Sequence, residues 1–571
     1  MAHPTRGIQS LKAGSAAQVV SIVAGFGVQL FTTPYVLFKL GLHDFGVWSI
    51  TGAIAQYGAL FDLGVSRAAS RYVAVFHSKG DVRNEGRVVA VCVATLFIVA
   101  AMLGGLALMA SQLIAPVLGL RDPRQAGTLL LVAVAILFVG LLARVLAAAS
   151  IGRGRTVPPL TAVAIMSALQ ALGGVVVLAV EPSLIGFAYG TLGGIALGLV
   201  VVVAVILIDE RRITFAVPNW TIAREVFAYG ISSQIAALGD LLLFQSGKLV
   251  AGALIGPSAA GIYELASRPA MAAQVLGASP GTALMPHLTR IYVSGGVGGI
   301  LTEYEHLTRR NTSVALLIPF AMAATAVTAI PVWLDGPHLD VVAVLLALLI
   351  GISVNVSTST CTCTLMAMGR PVMIAKVTAV AGILQVIAAV LATKFFGFVG
   401  LTVAIAIGVP VTKLAGLWLM QSSARIPQSF YFRAAGGPYV VALVAACSAL
   451  PIGLMTMPQS RQSAIVPFVA GAFVYLAVYL VLGWGFGYLP RASNQTSEPV
   501  PNERWTMRTA RMARVVDMLA GRRRGSRSGM PPTSSPNRHT SRHWWSRPSD
   551  GAGRDPLNSR ELRCREERTS H

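Results

Sequence analysis

Ionisable side chains inside apolar stretches are the residues of this sequence best placed to do chemistry, because a charge in a lipid-like solvent persists only beside a partner or a wet cavity. One such stretch, residues 227–255, carries Gln234, Asp240, Gln245 and Lys248. Asp240 and Lys248 stand about two helical turns apart and so share broadly one face of a helix. That spacing fits either an ion pair that neutralises itself or the wall of a hydrophilic lumen. The next stretch, residues 259–286, holds Glu264 and Arg268, an acidic-to-basic i,i+4 pair that satisfies itself while the guanidinium keeps donors for a phosphate. A diphosphate needs several forked donors, and Arg67, Arg71 and Arg144 are further candidates, with anchoring at the membrane surface as their plainer use. Asp62 precedes Gly64 at a point where an apolar helix would break, and Lys376 and Lys413 either face a lumen or snorkel to the surface. Asn355 belongs to a run with Ser353, Ser357, Thr358, Ser359, Thr360, Thr362 and Thr364 that covers all faces of a helix. Such a run suits helix packing and sugar contact equally.

The elements that must position these residues are membrane helices. Of the 571 residues, 54% are hydrophobic and only 12% charged, and the mean hydropathy is +0.68. A soluble domain carries about 25% charged residues, so the solvent for most of this chain is lipid. A bilayer crossing takes roughly 20 apolar residues, and such runs recur about fourteen times between residues 14 and 486. The expected fold is an all-α polytopic membrane protein. Lys and Arg concentrate in alternate loops, among them Arg67–Arg87, Arg144–Arg155, Arg211–Arg224 and Arg290–Arg310, which the positive-inside rule makes cytoplasmic. An even number of spans then puts both termini inside, in a multi-pass protein of the cell inner membrane.

Landmarks recur at one offset of 215 residues: Gly41 with Gly256, Gly46 with Gly261, Gly154 with Gly369, Arg155 with Arg370 and Gln170 with Gln385, while Trp48 falls on Tyr263. Identities on a single diagonal point to an ancient duplication of a six-helix unit. Six is even, so both copies enter the membrane in the same direction and form a parallel repeat. The expected organisation is an N-terminal lobe over residues 1–210, a C-terminal lobe over 211–425, a central cavity between them, and helices 13 and 14 appended over 426–489.

Beyond Pro490 the composition turns to Pro, Ser and Arg, with 17 Arg against eight carboxylates from Arg491 onward. This basic tail, residues 490–571, has a disordered composition. Within it, residues 504–519 set Trp505, Met512, Val516 and Leu519 on one helical face, as in a helix lying on anionic lipid. The net charge of +22 is concentrated in this tail and in alternate loops, which argues against a nucleic-acid partner. The five cysteines show neither a disulfide framework nor a zinc spacing, and Cys361 and Cys363 face different ways on a helix. The nine His are scattered, no Gly-rich phosphate loop follows a strand, and Asp335 and Asp340 are the only neighbouring carboxylates in an outer loop. No catalytic residue, metal site or cofactor is implied, and an ATP-driven pump is disfavoured.

The segments Leu40–Ile50 (LGLHDFGVWSI) and Leu60–Arg71 (LFDLGVSRAASR) resemble the oligosaccharide and polysaccharide flippases of the multidrug/oligosaccharidyl-lipid/polysaccharide exporter superfamily. Asp240–Arg268, with its GIYELASR ending, resembles the start of that family's second lobe, and Leu284–Thr289 (LMPHLT) the close of its eighth helix. The two extra helices and Arg268 are also similar to the lipid II flippases, where a cationic cavity receives the pyrophosphate. The cluster of arginines those flippases carry at the start of helix 1 is absent here: Lys12 stands near that end and Lys39 at the other. The resemblance implies alternating access of two lobes around a wet, partly basic cavity that shelters a glycan while its lipid stays in the bilayer.

The expected function is thus a flippase for a polyprenyl-diphosphate-linked oligosaccharide, serving polysaccharide or cell-envelope biosynthesis. Membrane lipids and a polysaccharide polymerase or glycosyltransferases are its expected partners. Energy would come from an H+ or Na+ gradient, the membrane potential or the fate of the substrate, and the residues do not choose among these. The rivals are a lipid II flippase or a cation-coupled multidrug exporter of the same superfamily, and, from other classes, a membrane glycosyltransferase or polymerase and a scaffold acting through the basic tail.

Overall fold

The computed structural model describes residues 4–489 except 59, 61–63 and 211–213; Asp62 and the proposed surface helix of residues 504–519 lie outside the described residues. All fourteen elements are helices: α1 (Pro4–Gly58), α2 (Val65–Ser78), α3 (Val82–Ile114), α4 (Pro123–Gly152), α5 (Val157–Val180), α6 (Leu184–Glu210), α7 (Trp220–Leu254), α8 (Pro257–Ala315), α9 (Leu317–Leu334), α10 (Leu339–Ser357), α11 (Ser359–Ala367), α12 (Pro371–Ala424), α13 (Gln428–Thr456) and α14 (Arg461–Gly485). No strand occurs among the described residues, as a lipid solvent requires of anything but a closed barrel, because an open backbone cannot be hydrated there. Among the described residues, ten stretches are long and apolar enough to cross a membrane.

Polar caps mark where helices leave the apolar zone. The Asp81 carboxylate accepts the Asn84 backbone N–H, Asp122 accepts that of Arg124 ahead of α4, and Asn219 accepts that of Thr221 ahead of α7. Three runs are longer than one crossing and break at glycine: α1 at Gly41, α8 at Gly296 and α12 at Gly397. At Gly397 the backbone takes φ +59, a conformation side-chain-bearing residues rarely adopt, and the chain doubles back. Gln385 Nε2 then reaches the Ala404 carbonyl oxygen at 3.3 Å across the resulting hairpin. Near residue 60 the expected single span is interrupted: α1 stops at Gly58, and α2 restarts at Val65 behind a left-handed Gly64. The hydroxyl-rich run is likewise broken, α10 ending at Ser357 and α11 beginning at Ser359.

Two groups of helices pack among themselves. In the first, α1 packs on α4 and α5, α2 on α3 and α4, and α6 on α4 and α5; in the second, α7 packs on α12, α8 on α10 and α11, and α9 on α10. Helices α13 and α14 pack on each other and on α9. Tyr475 donates to the Leu317 carbonyl at 3.0 Å, and Tyr479 to that of Ser313, so α14 is tied to backbone carbonyls on either side of the α8–α9 junction. The groups meet chiefly where α1 lies against α8.

That crossing is reciprocal. A Cβ on Gly46 would stand 1.8 Å from the Pro257 carbonyl oxygen, and one on Gly261 would stand 2.9 Å from that of Leu42. Leu42 and Pro257 are themselves 215 residues apart, so the two contacts are one contact seen from either copy. Further along, Ser49 Oγ lies 3.4 Å from Glu264 Oε2, again at a separation of 215. Matched positions advance together, hence α1 beyond Gly41 and the start of α8 run parallel about a local two-fold axis.

Apolar packing distinguishes the two ends of the bundle. One core draws on both groups, with Phe45, Ile50, Leu118 and Leu129 from the first beside Val250, Ala260, Tyr263 and Val341 from the second. Toward the other end the cores separate. One uses Val65, Val88, Val145, Val202 and the beginning of α7 at Ile222 and Val226; the other uses Ile300, Tyr304, Leu365, Leu417 and Tyr431. The bundle is sealed at the end carrying the Gly41 and Gly256 turns.

The Gly46 crossing leaves no room for a methyl group. Gly46→Ala should therefore lower the stability of the purified protein by about 1–3 kcal/mol in a detergent melt. Gly261→Ala, whose added carbon meets its neighbour at a longer distance, should cost less.

Candidate substrate-binding site

The seal includes a charged cluster. Lys248 of α7 and Glu264 and Arg268 of α8 meet there: Lys248 Nζ lies 2.8 Å from Glu264 Oε2, and Arg268 Nε lies 3.1 Å from Glu264 Oε1. Helix α1 supplies the rest. Arg268 Nη1 donates to Thr33 Oγ1, Ser49 Oγ donates to Glu264 Oε2, and the Arg268 guanidinium sits 5.2 Å from the centre of the Phe45 ring. Ser267 Oγ donates at 3.0 Å to the Glu264 carbonyl and lies 3.5 Å from Oε2. Side-chain exposure is 4% for Lys248, 16% for Glu264 and 19% for Arg268, so the lysine is enclosed while the other two keep an open side. Two cations share one carboxylate, a net charge of +1 held by both halves of the duplication.

Asp240 and Lys248 share a helix but not a partner. Asp240 pairs at 3.8 Å with Lys413 of α12, whose ammonium lies 5.6 Å from the centre of the Phe244 ring. Lys413 is thus neither snorkelling nor solitary, and the Asp240 side chain, 62% exposed, faces open space. Gln234 Nε2 donates to the Leu60 carbonyl at 3.3 Å, tying α7 to the first half, and Gln245 is half-buried on the same helix. Arg67, Arg71, Arg144 and Lys376 are exposed on α2, α4 and α12, with Arg71 over the Tyr72 ring.

The hydroxyl run divides by depth. Ser353, Ser357, Thr358, Thr360 and Thr364 are buried, and Ser357 joins Tyr431 at 2.7 Å and Tyr439 at 3.0 Å, a link from α10 to α13. Ser359 accepts from Asn311 Nδ2 at 2.9 Å, and Asn355 is half-buried. Helix packing accounts for the inward-facing members.

Sequence reasoning passed over Thr33, Phe45, Ser49 and Ser267, which are neutral and so gave no charge signal. The repeat held one clue: Ser49 is the counterpart of Glu264 at the 215-residue offset that links Trp48 with Tyr263.

A second buried ion network was read from sequence only as loop charge. Arg153 Nε lies 3.1 Å from Glu85 Oε2 and its Nη1 2.6 Å from Glu210 Oε2, while Nη2 donates to Thr214 Oγ1 at 3.1 Å. His77 Nδ1 meets Glu85 Oε1 at 2.9 Å. This network ties α2, α3, α4 and α6 together within the first half. Removing one partner of a buried pair leaves the other charge stranded, at about 3–5 kcal/mol. Arg153→Ala should lower the melting temperature clearly, whereas Arg155→Ala, 56% exposed and 3.6 Å from Asp209, should change stability by only about 0–1 kcal/mol.

Residues 11–292 match the family model described as polysaccharide biosynthesis protein. No curated protein matched the sequence. Among solved structures, an inward-facing MATE family multidrug resistance transporter of the MOP superfamily superposes with TM-score 0.61 at 15% identity, over 72% of this chain and 98% of its own. The lipid II flippase MurJ in an inward closed conformation superposes with TM-score 0.60 at 14% identity, over 82% of this chain and 99% of its own. A MOP superfamily transporter from Pyrococcus furiosus gives 0.53 at 17% identity, over 74% and 99%.

Proposed function

With residues 11–292 matching the polysaccharide biosynthesis protein family model and the bundle folded as in the MOP superfamily, we propose that this multi-pass membrane protein is a flippase. Its substrate would be a polyprenyl-diphosphate-linked oligosaccharide, carried across the cytoplasmic membrane for polysaccharide or envelope assembly. The observation that carries this reading is the Lys248–Glu264–Arg268 cluster, a net positive site between the two halves of a duplicated bundle. Arginine's forked donors suit a diphosphate, and a low-dielectric setting strengthens each contact. Divided at Gly41, Gly296 and Gly397, and with α2 taken as continuing the second part of α1, α9 that of α8, and α11 continuing α10, the helices would give fourteen crossings, in lobes over residues 1–210 and 211–425 with α13 and α14 beside them. The basic loops support a cytoplasmic side for the separated cores, and so a conformation sealed outside and parted inside. Alternating access then consists of parting the α1–α8 seal while the inner ends close, and both termini stay in the cytoplasm.

The multidrug-exporter reading accounts less well for the chain. The superposition with MurJ spans 82% of it against 72% for the MATE transporter, which suits a bundle carrying α13 and α14. Within the flippases, the lack of an arginine cluster at the start of the first helix, where Arg6 stands alone, argues for a lipid-linked oligosaccharide rather than lipid II. Among the described residues, no catalytic constellation lends support to a glycosyltransferase.

Lipid analysis of a deletion strain tests the proposal. A polyprenyl-diphosphate glycan should accumulate on the cytoplasmic face and clear on complementation with wild type. Each charge-assisted contact is worth about 1.5–3 kcal/mol, so Arg268→Ala should clear it roughly tenfold more slowly or worse. Unchanged lipid pools with a loss of drug efflux would replace this reading with the exporter.

A further inference from the structure

Glu264 holds the donors that a substrate phosphate would need. Its carboxylate meets Lys248 Nζ at 2.8 Å, Arg268 Nε at 3.1 Å, Ser49 Oγ at 3.4 Å and Ser267 Oγ at 3.5 Å. Two cations and two hydroxyls around one carboxylate form an oxyanion site that is already filled by an anion of the protein itself. The same carboxylate joins helices of both halves, because Ser49 belongs to α1, Lys248 to α7, and Ser267 and Arg268 to α8. Arg268 adds a second tie to α1 through Thr33.

On the flippase reading above, we propose that Glu264 is an internal stand-in for the substrate's diphosphate, and that its displacement by that diphosphate loosens the seal. A carboxylate brings one negative charge, whereas a diphosphate brings at least two and more acceptor oxygens, so it competes well for Lys248 and Arg268. The approach is open because Glu264 and Arg268 retain an exposed side, while Lys248 is enclosed and cannot be left unpaired without cost. When Arg268 turns to the substrate, its bond to Thr33 is lost. When Glu264 is released, its bond to Ser49 is lost as well. What then holds α1 to α8 at this level is the Gly46–Gly261 crossing and the apolar core, and the halves can part. A lipid without an anionic head group cannot displace Glu264 and leaves the seal shut, which makes Glu264 a specificity-determining residue.

The test uses the full chain in nanodiscs of zwitterionic lipid, with inorganic pyrophosphate as the probe in titration calorimetry. Glu264→Gln removes the competitor and should bind pyrophosphate at least tenfold more tightly than wild type, while Glu264→Gln with Arg268→Ala should lose that gain. Glu264→Asp keeps the charge on a shorter arm and should fall between them, and it carries the comparison if the amide variant does not fold. The seal is read separately at Ile50, which is 1% exposed and packs against Gly252 of α7. In an Ile50→Cys protein whose five native cysteines are replaced by alanine, pyrophosphate should raise maleimide labelling several-fold. Tighter binding together with increased labelling supports the proposal. Pyrophosphate affinity unchanged or weakened in Glu264→Gln but lost in Arg268→Ala would overturn it and leave the flippase reading standing. No binding in any variant would overturn both.

Discussion

The organisation of this bundle depends on one constraint: charge inside a lipid solvent must be matched by charge or by water. A helix bundle in hydrocarbon gains little from apolar burial against neighbours, since the lipid is as apolar as they are, so contacts between halves rest on close backbone approach and on polar links. Both occur on α1 and α8. Gly46 and Gly261 let the backbones touch, and Ser49 and Thr33 reach the charges of α8 close by.

Duplication accounts for the form of that contact. Two copies of one unit meeting about a two-fold axis present the same residue positions to each other, so a single small residue, used twice, makes a close crossing. The matched positions differ at the charged cluster: one is Ser49 and the other Glu264. A homologous pair of carboxylates there would repel, and a pair of serines would leave Lys248 and Arg268 without a counter-charge. The asymmetry is what lets a symmetric scaffold hold a cationic site.

The fold was legible because its signals are long-range averages over composition and period. Apolar runs gave the helices, and the 215-residue diagonal anticipated the reciprocal crossing of Gly46 and Gly261. The site was legible only where it carried charge. Glu264 and Arg268 were readable as a pair from their i,i+4 spacing. The partner of Lys248 was not, because it sits on the next helix, and spacing along one helix offered Asp240 in its place. Asp240 pairs instead with Lys413, more than 170 residues away, and no local pattern encodes such a contact. Breaks inside apolar runs were only partly visible. Gly64 announced one, but the interruption at Thr358 lies in a hydroxyl-rich stretch whose side chains bond backbone and neighbours in ways composition does not specify.

Two buried ion networks of similar chemistry invite different uses, and placement separates them. Arg153 with Glu85 and Glu210 closes on itself inside one half, with the arginine and both glutamates almost fully enclosed. It joins helices of one group only, so it would stay intact if that group moved as a whole. Lys248 with Glu264 and Arg268 spans the surface along which two bodies meet, and its open side leaves Arg268 within reach of something other than the protein. Its net charge of +1 is also the reverse of the −1 carried by Arg153 and its two glutamates. On the flippase proposal, a network that is both net positive and interfacial is the one whose contacts would change if the two groups of helices parted, whereas one closed within a single group would not.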